Sequence, residues 1–149
     1  METTEYILAE KASLRLIARA EQCSRGLSLK LEKRGFDAVC VREVIARLME
    51  TNLLDDKRYA RMWLRSRLIF SKSPKKLFVS LRAKGIDSDE ADAALKDVLD
   101  EETEFSLLTR YVKTIEKKVP DENRGRGIKF MLKNEGFSVN AIRKYFDEE

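Results

Sequence analysis

In a chain of 149 residues, 30 Lys and Arg against 26 Asp and Glu leave a net charge of +4, and only six Gly and two Pro interrupt a composition that favours helix. There is no histidine and there are two cysteines, Cys23 and Cys40, which removes the commonest general base, the His-dependent triads, a disulfide framework and a Cys/His metal cluster. No run approaches the ~18 apolar residues of a membrane span, and Met1-Glu2-Thr3-Thr4-Glu5 lacks the basic and apolar start of a signal peptide, so a cytoplasmic protein with free thiols is expected.

The first element reads as a helix over residues 4–20 with Leu14, Ile17 and Ala18 on its apolar side. A second helix carries Leu27 and Leu31 and must stop at Gly35, which takes the left-handed C′ conformation without steric cost. Phe36 can fold back onto that helix. Asp37 is a natural N-cap for a third helix with Val41 and Ile45 on one face. Asn52 suits the end of that helix, and Asp55 with Asp56 the start of the next.

The same sequence of elements then recurs. A helix over 56–70 supplies Tyr59, Ala60, Trp63 and Leu64; the next carries Leu77 and Leu81 and stops at Gly85-Ile86; Asp87 begins another with Ala91 and Leu95 inside, and Asp87 with Glu90 has capping-box spacing. A third round has Leu107, Leu108, Tyr111 and Ile115 in a helix over 103–118 closed by Val119-Pro120. After a loop-like stretch at 120–127, a plausible hinge position, come Ile128 and Leu132, the turn Gly136-Phe137, the cap Ser138, and Ile142 with Phe146. The glycines stand 50 and 51 residues apart, so the chain reads as three repeats, 1–52, 53–101 and 102–149. The fold class expected is all-α: three tandem three-helix repeats forming an elongated, curved array. With no flexible linker at the boundaries, the modules should pack end to end.

Charge is unevenly placed. Lys57 to Lys84 contains ten basic residues and no acidic one, whereas Gly85 to Glu104 contains nine acidic residues and only Lys96. Lys57, Arg58, Arg61, Arg65 and Lys72 fall within one helical arc of ~100°, provided the helix runs that far. Such a face is either solvated or a docking surface for an anionic partner, nucleic acid or an acidic protein groove. Arg67 falls in the apolar arc and reads as a snorkelling residue at a module junction. Three helices with a Gly turn invite a helix-turn-helix reading, but the last helix of the middle repeat has a net charge of −4 (Asp89, Glu90, Asp92, Asp97 and Asp100 against Lys96) and would meet phosphates unfavourably.

Leu53-Leu54-Asp55-Asp56-Lys57-Arg58-Tyr59-Ala60, then Arg65-Ser66-Arg67, Ser73-Pro74-Lys75-Lys76-Leu77 and Leu81-Arg82-Ala83-Lys84-Gly85-Ile86, resembles the central signature of the RecX family, bacterial regulators of the RecA recombinase. Leu31-Glu32-Lys33-Arg34-Gly35-Phe36, Phe130-Met131-Leu132 and Gly136-Phe137-Ser138 extend the resemblance over nearly the whole chain. Asn52 stands where many members have Gly. The resemblance implies a protein without catalytic residues that binds RecA, chiefly the RecA filament on single-stranded DNA. It would lie in the filament's groove, bridge neighbouring protomers and inhibit ATP hydrolysis, strand exchange and the co-protease activity of the SOS response.

Partner contacts are therefore expected from Lys57, Arg61, Arg65, Lys72, Lys75, Lys76 and Arg82, meeting acidic RecA side chains or DNA phosphates. Asp55, Asp56, Tyr59, Leu81, Gly35, Gly85 and Gly136 read as caps, core and turns. A monomer with no cofactor and no metal is expected, with weak direct DNA binding left open. The alternative is a helical-repeat nucleic-acid-binding module acting without RecA, recognisable by a steep salt dependence on bare single-stranded DNA.

Overall fold

The computed structural model describes residues 3–70 and 72–147. Among them α-helices follow one another with no strand: α1 (Thr4–Arg19), α2 (Ser24–Lys33), α3 (Ala38–Glu50), α4 (Asp56–Arg67), α5 (Pro74–Ala83), α6 (Ser88–Val98), α7 (Glu101–Ile115), α8 (Arg124–Asn134) and α9 (Val139–Tyr145), with a 3-10 turn at Glu116–Lys118. They pack in threes, α3 on α1 and α2, α6 on α4 and α5, α9 on α7 and α8.

The repeated glycine turn is built from local chemistry. Gly35, Gly85 and Gly136 have φ of 96°, 89° and 88°. The N–H groups of Phe36, Ile86 and Phe137 donate back to the carbonyls of Leu31, Leu81 and Leu132 at 3.3, 3.2 and 3.1 Å, closing each helix with a Schellman turn. The next helix then opens on a side-chain cap: Asp37 accepts from the Val39 N–H, Asp87 from Asp89 and Ser138 from Ala141. Glu90 does not return the capping-box bond to Asp87; it lies half-buried against the start of α4 instead.

Several expected boundaries shift. In α1 the core face is Tyr6, Ala9 and Ser13, whereas Leu14 is 39 % exposed and Ala18 is exposed. A serine can replace leucine on that face because its hydroxyl donates to the Ala9 carbonyl at 2.8 Å, leaving no unmet polar group. Helix α4 stops at Arg67, so Lys72 is not on its arc. Helix α8 begins at Arg124, inside the stretch expected as loop. Gly127 is needed there for packing: a Cβ would fall 2.7 Å from Val119 Cγ1.

Leu27, Leu31, Leu77, Leu81 and Leu132 are fully buried and Ile128 nearly so, as their shared register requires. The core does not divide in three. One cluster joins Tyr6, Ala9, Leu27, Leu31, Val41, Val44, Ile45, Leu48 and Leu54. A second runs continuously from Trp63 and Leu81 of the middle unit to Tyr111 and Phe137 of the last, taking in Cys23.

The joints between units repeat. Helix α2 starts against the Gly85 turn, and α5 against the Gly136 turn. In the first joint the Cys23 thiol points at the Lys84 carbonyl, 3.7 Å away, and Arg25 lies where a Gly85 Cβ would stand. In the second, the Ser73 hydroxyl donates to Glu135 Oε2 at 2.5 Å and the Lys75 N–H to the Glu135 carbonyl at 3.0 Å. Cys23 and Ser73 each precede their own glycine by 12 residues, and Lys84 and Glu135 precede theirs by one. The glycine turn therefore serves twice, as a helix stop and as the seat for the preceding unit.

Candidate partner interface

The seven basic residues expected to meet a partner do not line one cleft: Lys72, Lys75 and Lys76 share one, and Lys57 and Arg61 another. Arg61 Nε donates to Asp97 Oδ2 of α6 at 2.6 Å, and Lys57 lines a cleft with Asp89 and Glu90. Arg82 Nη1 donates to the Ile86 carbonyl at 3.0 Å, bracing the glycine turn. Arg58, also on the basic arc, pairs with Glu21 at 2.8 Å and reaches the Asn52 and Leu53 carbonyls. The basic arc of α4 is thus partly answered by α6 and by the first unit, correcting the expectation of a run without counter-charge. The pairs are exposed, so they fix geometry more than they add stability.

Burial, opposed by Lys57, and the carboxylates of Asp56, Asp87 and Asp55 together push the Glu90 carboxyl above its ordinary range. Hydrogen bonding from Thr103 holds the Asp100 carboxylate below its own, at the N-cap of α7. The contacts of Arg67 lie within its own unit: its guanidinium lies 5.4 Å from the Trp63 ring centroid and 5.9 Å from that of Phe70, and Lys84 Nζ lies 5.6 Å from the same indole.

Arg65, Lys72, Lys75 and Lys76 have no ion pair among the described residues. Three of them converge. Lys72, Lys75 and Lys76 line one groove with Val79, Ser80 and Glu135, outside the joint between the second and third units. Ser73 caps the Lys76 N–H and is itself tied to Glu135, so the third unit holds this turn of α5 in place. Arg65 stands exposed on α4.

The structural residues do more than their motif suggests. Asp55 caps α4 through the Lys57 and Arg58 N–H groups. Asp56 reaches across the first joint to Ser24 at the start of α2. Tyr59 is half-buried at that joint and Leu81 is fully buried. Sequence reasoning missed Val79, an apolar residue that periodicity places opposite Leu77 and Leu81, and Glu135, which sits far along the chain from the lysines it borders.

The sequence model for RecX, second three-helix domain, matches residues 55–95, from the N-cap of α4 into α6. The chain is 31% identical over 140 residues to regulatory protein RecX of Treponema pallidum (strain Nichols), covering 91% of this chain and 82% of that protein. It is 34% identical over 138 residues to regulatory protein RecX of Halorhodospira halophila, covering 89% and 82%. A crystal structure of RecX from Lactobacillus salivarius superposes with a TM-score of 0.72 at 24% identity, over 96% of this chain and 95% of that one. A crystal structure of regulatory protein RecX gives a TM-score of 0.79 at 22% identity, over 97% and 72%. These two establish likeness of fold, and the likeness in sequence extends through all three helical units: the chain belongs to the RecX family of regulatory proteins.

Proposed function

We propose that this protein is a monomeric, cytoplasmic regulator that docks on the RecA filament formed on single-stranded DNA and restrains its ATPase, strand-exchange and co-protease activities, with no chemistry of its own. The units 1–52, 53–101 and 102–149 act as its three modules. The observation that carries this reading is the groove at the second joint: Lys72, Lys75 and Lys76 stand without an ion pair among the described residues, beside a turn held by Glu135, inside an array of units suited to spanning more than one subunit of a helical partner. Positive charge so placed complements an anionic partner and speeds its encounter.

The test is RecA ATP hydrolysis on single-stranded DNA with this protein added at substoichiometric amounts. The expected result is a progressive fall in rate. An unchanged rate up to saturation would overturn the reading. Tight, steeply salt-dependent binding to bare single-stranded DNA with no effect on RecA would favour an independent nucleic-acid binder.

A further inference from the structure

The three units share more than their core. Six residues before each turn glycine stand Leu29, Val79 and Phe130, and they are 56 %, 57 % and 66 % exposed. Large apolar side chains at one register, left in solvent in every unit, are not explained by packing; a single one would need no explanation. Four residues earlier on each helix stand Arg25, Lys75 and Arg126, all exposed. An i, i+4 pair shares a helix face, so each unit presents a cation one turn from an exposed apolar side chain.

At the two joints these pairs lie in grooves. The first contains Arg25, Leu29 and Lys84, and the second Lys75, Val79 and Glu135, which are the same three positions in successive repeats, the first two alike in character and the third reversed in charge. The repeated joint explains the likeness, since the start of α2 or α5 is seated on the next glycine turn, whose preceding residue forms one wall. In α8 the pair Arg126 and Phe130 has no wall from a following unit among the described residues.

We infer that the chain carries two equivalent docking grooves, at Arg25–Leu29 and Lys75–Val79, which take the same carboxylate-bearing apolar segment from two successive subunits of a polymeric protein partner. The inference rests on the reading above only in taking the partner to be a filament. Cations outnumber carboxylates in both grooves: Arg25, Lys30 and Lys84 stand against Glu21 in the first, where Lys30 is bonded to Gln22 and Glu21 to Arg58, and Lys72, Lys75 and Lys76 stand against Glu135 in the second. A phosphate chain would be drawn by the cations too, but it gains nothing from aliphatic Leu29 and Val79, and the second groove has no aromatic residue in its lining on which a base could stack. Nor does the first turn of α5 offer backbone donors to an anion: Pro74 has none, the Lys75 N–H is bonded to the Glu135 carbonyl and the Lys76 N–H to Ser73. A protein segment with acidic side chains flanking an apolar one uses both features. Two grooves on one chain convert the second contact into an intramolecular event, so affinity for a polymer should far exceed that for one subunit.

The test uses the full chain with Leu29→Asn, Val79→Asn and the double variant, all at exposed positions, with circular dichroism to confirm the fold. A short fluorescein-labelled peptide of repeated Asp-Glu-Leu is titrated by anisotropy, with oligodeoxythymidylate as the phosphate probe. The peptide should fill two sites on the wild type; each single variant should lose one and the double variant both, while oligodeoxythymidylate binding stays unchanged. Binding to RecA filaments should fall about tenfold for each single variant and by a hundredfold or more for the double one, on the order expected when linked contacts are removed. Failure of the wild type to bind the peptide, or equal binding by the double variant, overturns the grooves. So does loss of oligodeoxythymidylate binding in parallel with the peptide, which would make them nucleic-acid sites. If wild type and double variant suppress RecA ATPase alike, the grooves fail while the regulatory reading stands. If the wild type leaves RecA untouched, the regulatory reading fails and the peptide titration alone decides the grooves.

Discussion

Both carboxylate oxygens of Asp56, in α4, are taken by Ser24 at the start of α2: Oδ1 accepts the Ser24 N–H at 2.7 Å and Oδ2 the hydroxyl at 2.6 Å. One side chain thus closes two donors of a helix in the neighbouring unit, at a joint where the two apolar clusters do not merge. The polar clamp matters more here than at the second joint, where the core is continuous.

Removing this clamp should therefore loosen the first unit selectively. Asp56→Ala should cost about 1–3 kcal/mol, because part-buried donors are left without a partner. Denaturant unfolding should lose coincidence between probes, and amide exchange should quicken in α2 and α3 before α8 and α9. Uniform exchange throughout the chain would contradict the two-core arrangement.

The glycine turns offer a graded comparison. Gly35→Ala meets open space and bears only the left-handed backbone cost, about 1–2 kcal/mol. Gly85→Ala carries the same cost and also puts a Cβ 2.4 Å from Arg25 Cδ, so the first joint must shift. Thermal melts should rank Gly85→Ala below Gly35→Ala. Leu81→Ala, in the fully buried core, should cost about 2–5 kcal/mol.

Glu90 gives a pH signature. Its carboxyl is raised by burial, opposed by Lys57, and by the carboxylates of Asp56, Asp87 and Asp55. The folded state then binds this proton more readily than the unfolded chain. Its contribution to stability falls as pH rises from the ordinary carboxylate value through the raised folded one, and stays low above it. Glu90→Gln should stabilise the protein at pH 7, by about 0.5 kcal/mol. The gap between variant and wild type should close below about pH 4, where both forms are neutral. A variant less stable than wild type at pH 7 would sink this account.

Charge reversal should separate binding from folding. Lys75→Glu with Lys76→Glu should leave the melting temperature unchanged and weaken filament binding by about tenfold. Arg61→Glu faces Asp97 of α6 and should instead lower the melting temperature, through a loss of stability typical of exposed pairs, about 0.2–1 kcal/mol. Parallel loss of filament binding with Arg61→Glu and Arg65→Glu would restore the α4 face as the contact surface.

What could be read from the sequence was local and periodic. The helix stops at Gly35, Gly85 and Gly136, the caps at Asp37, Asp87 and Ser138, and the buried leucines before each turn follow from backbone sterics and 3.6-residue periodicity, which act over a few residues. Hydropathy misled where a polar side chain bonded to its own helix, so Ser13 entered the core in place of Leu14. Tertiary structure decided the partners of charge and the outward faces. Arg61 finds Asp97, Arg58 finds Glu21 and Ser73 finds Glu135 across 36, 37 and 62 residues of chain, and no periodicity encodes such distances. Helical periodicity puts Leu29, Val79 and Phe130 opposite the buried leucines, and the tertiary structure showed that no neighbouring helix among the described residues covers them. Which side of a helix is inside depends on the neighbour that covers it, and that neighbour is chosen only when the units pack.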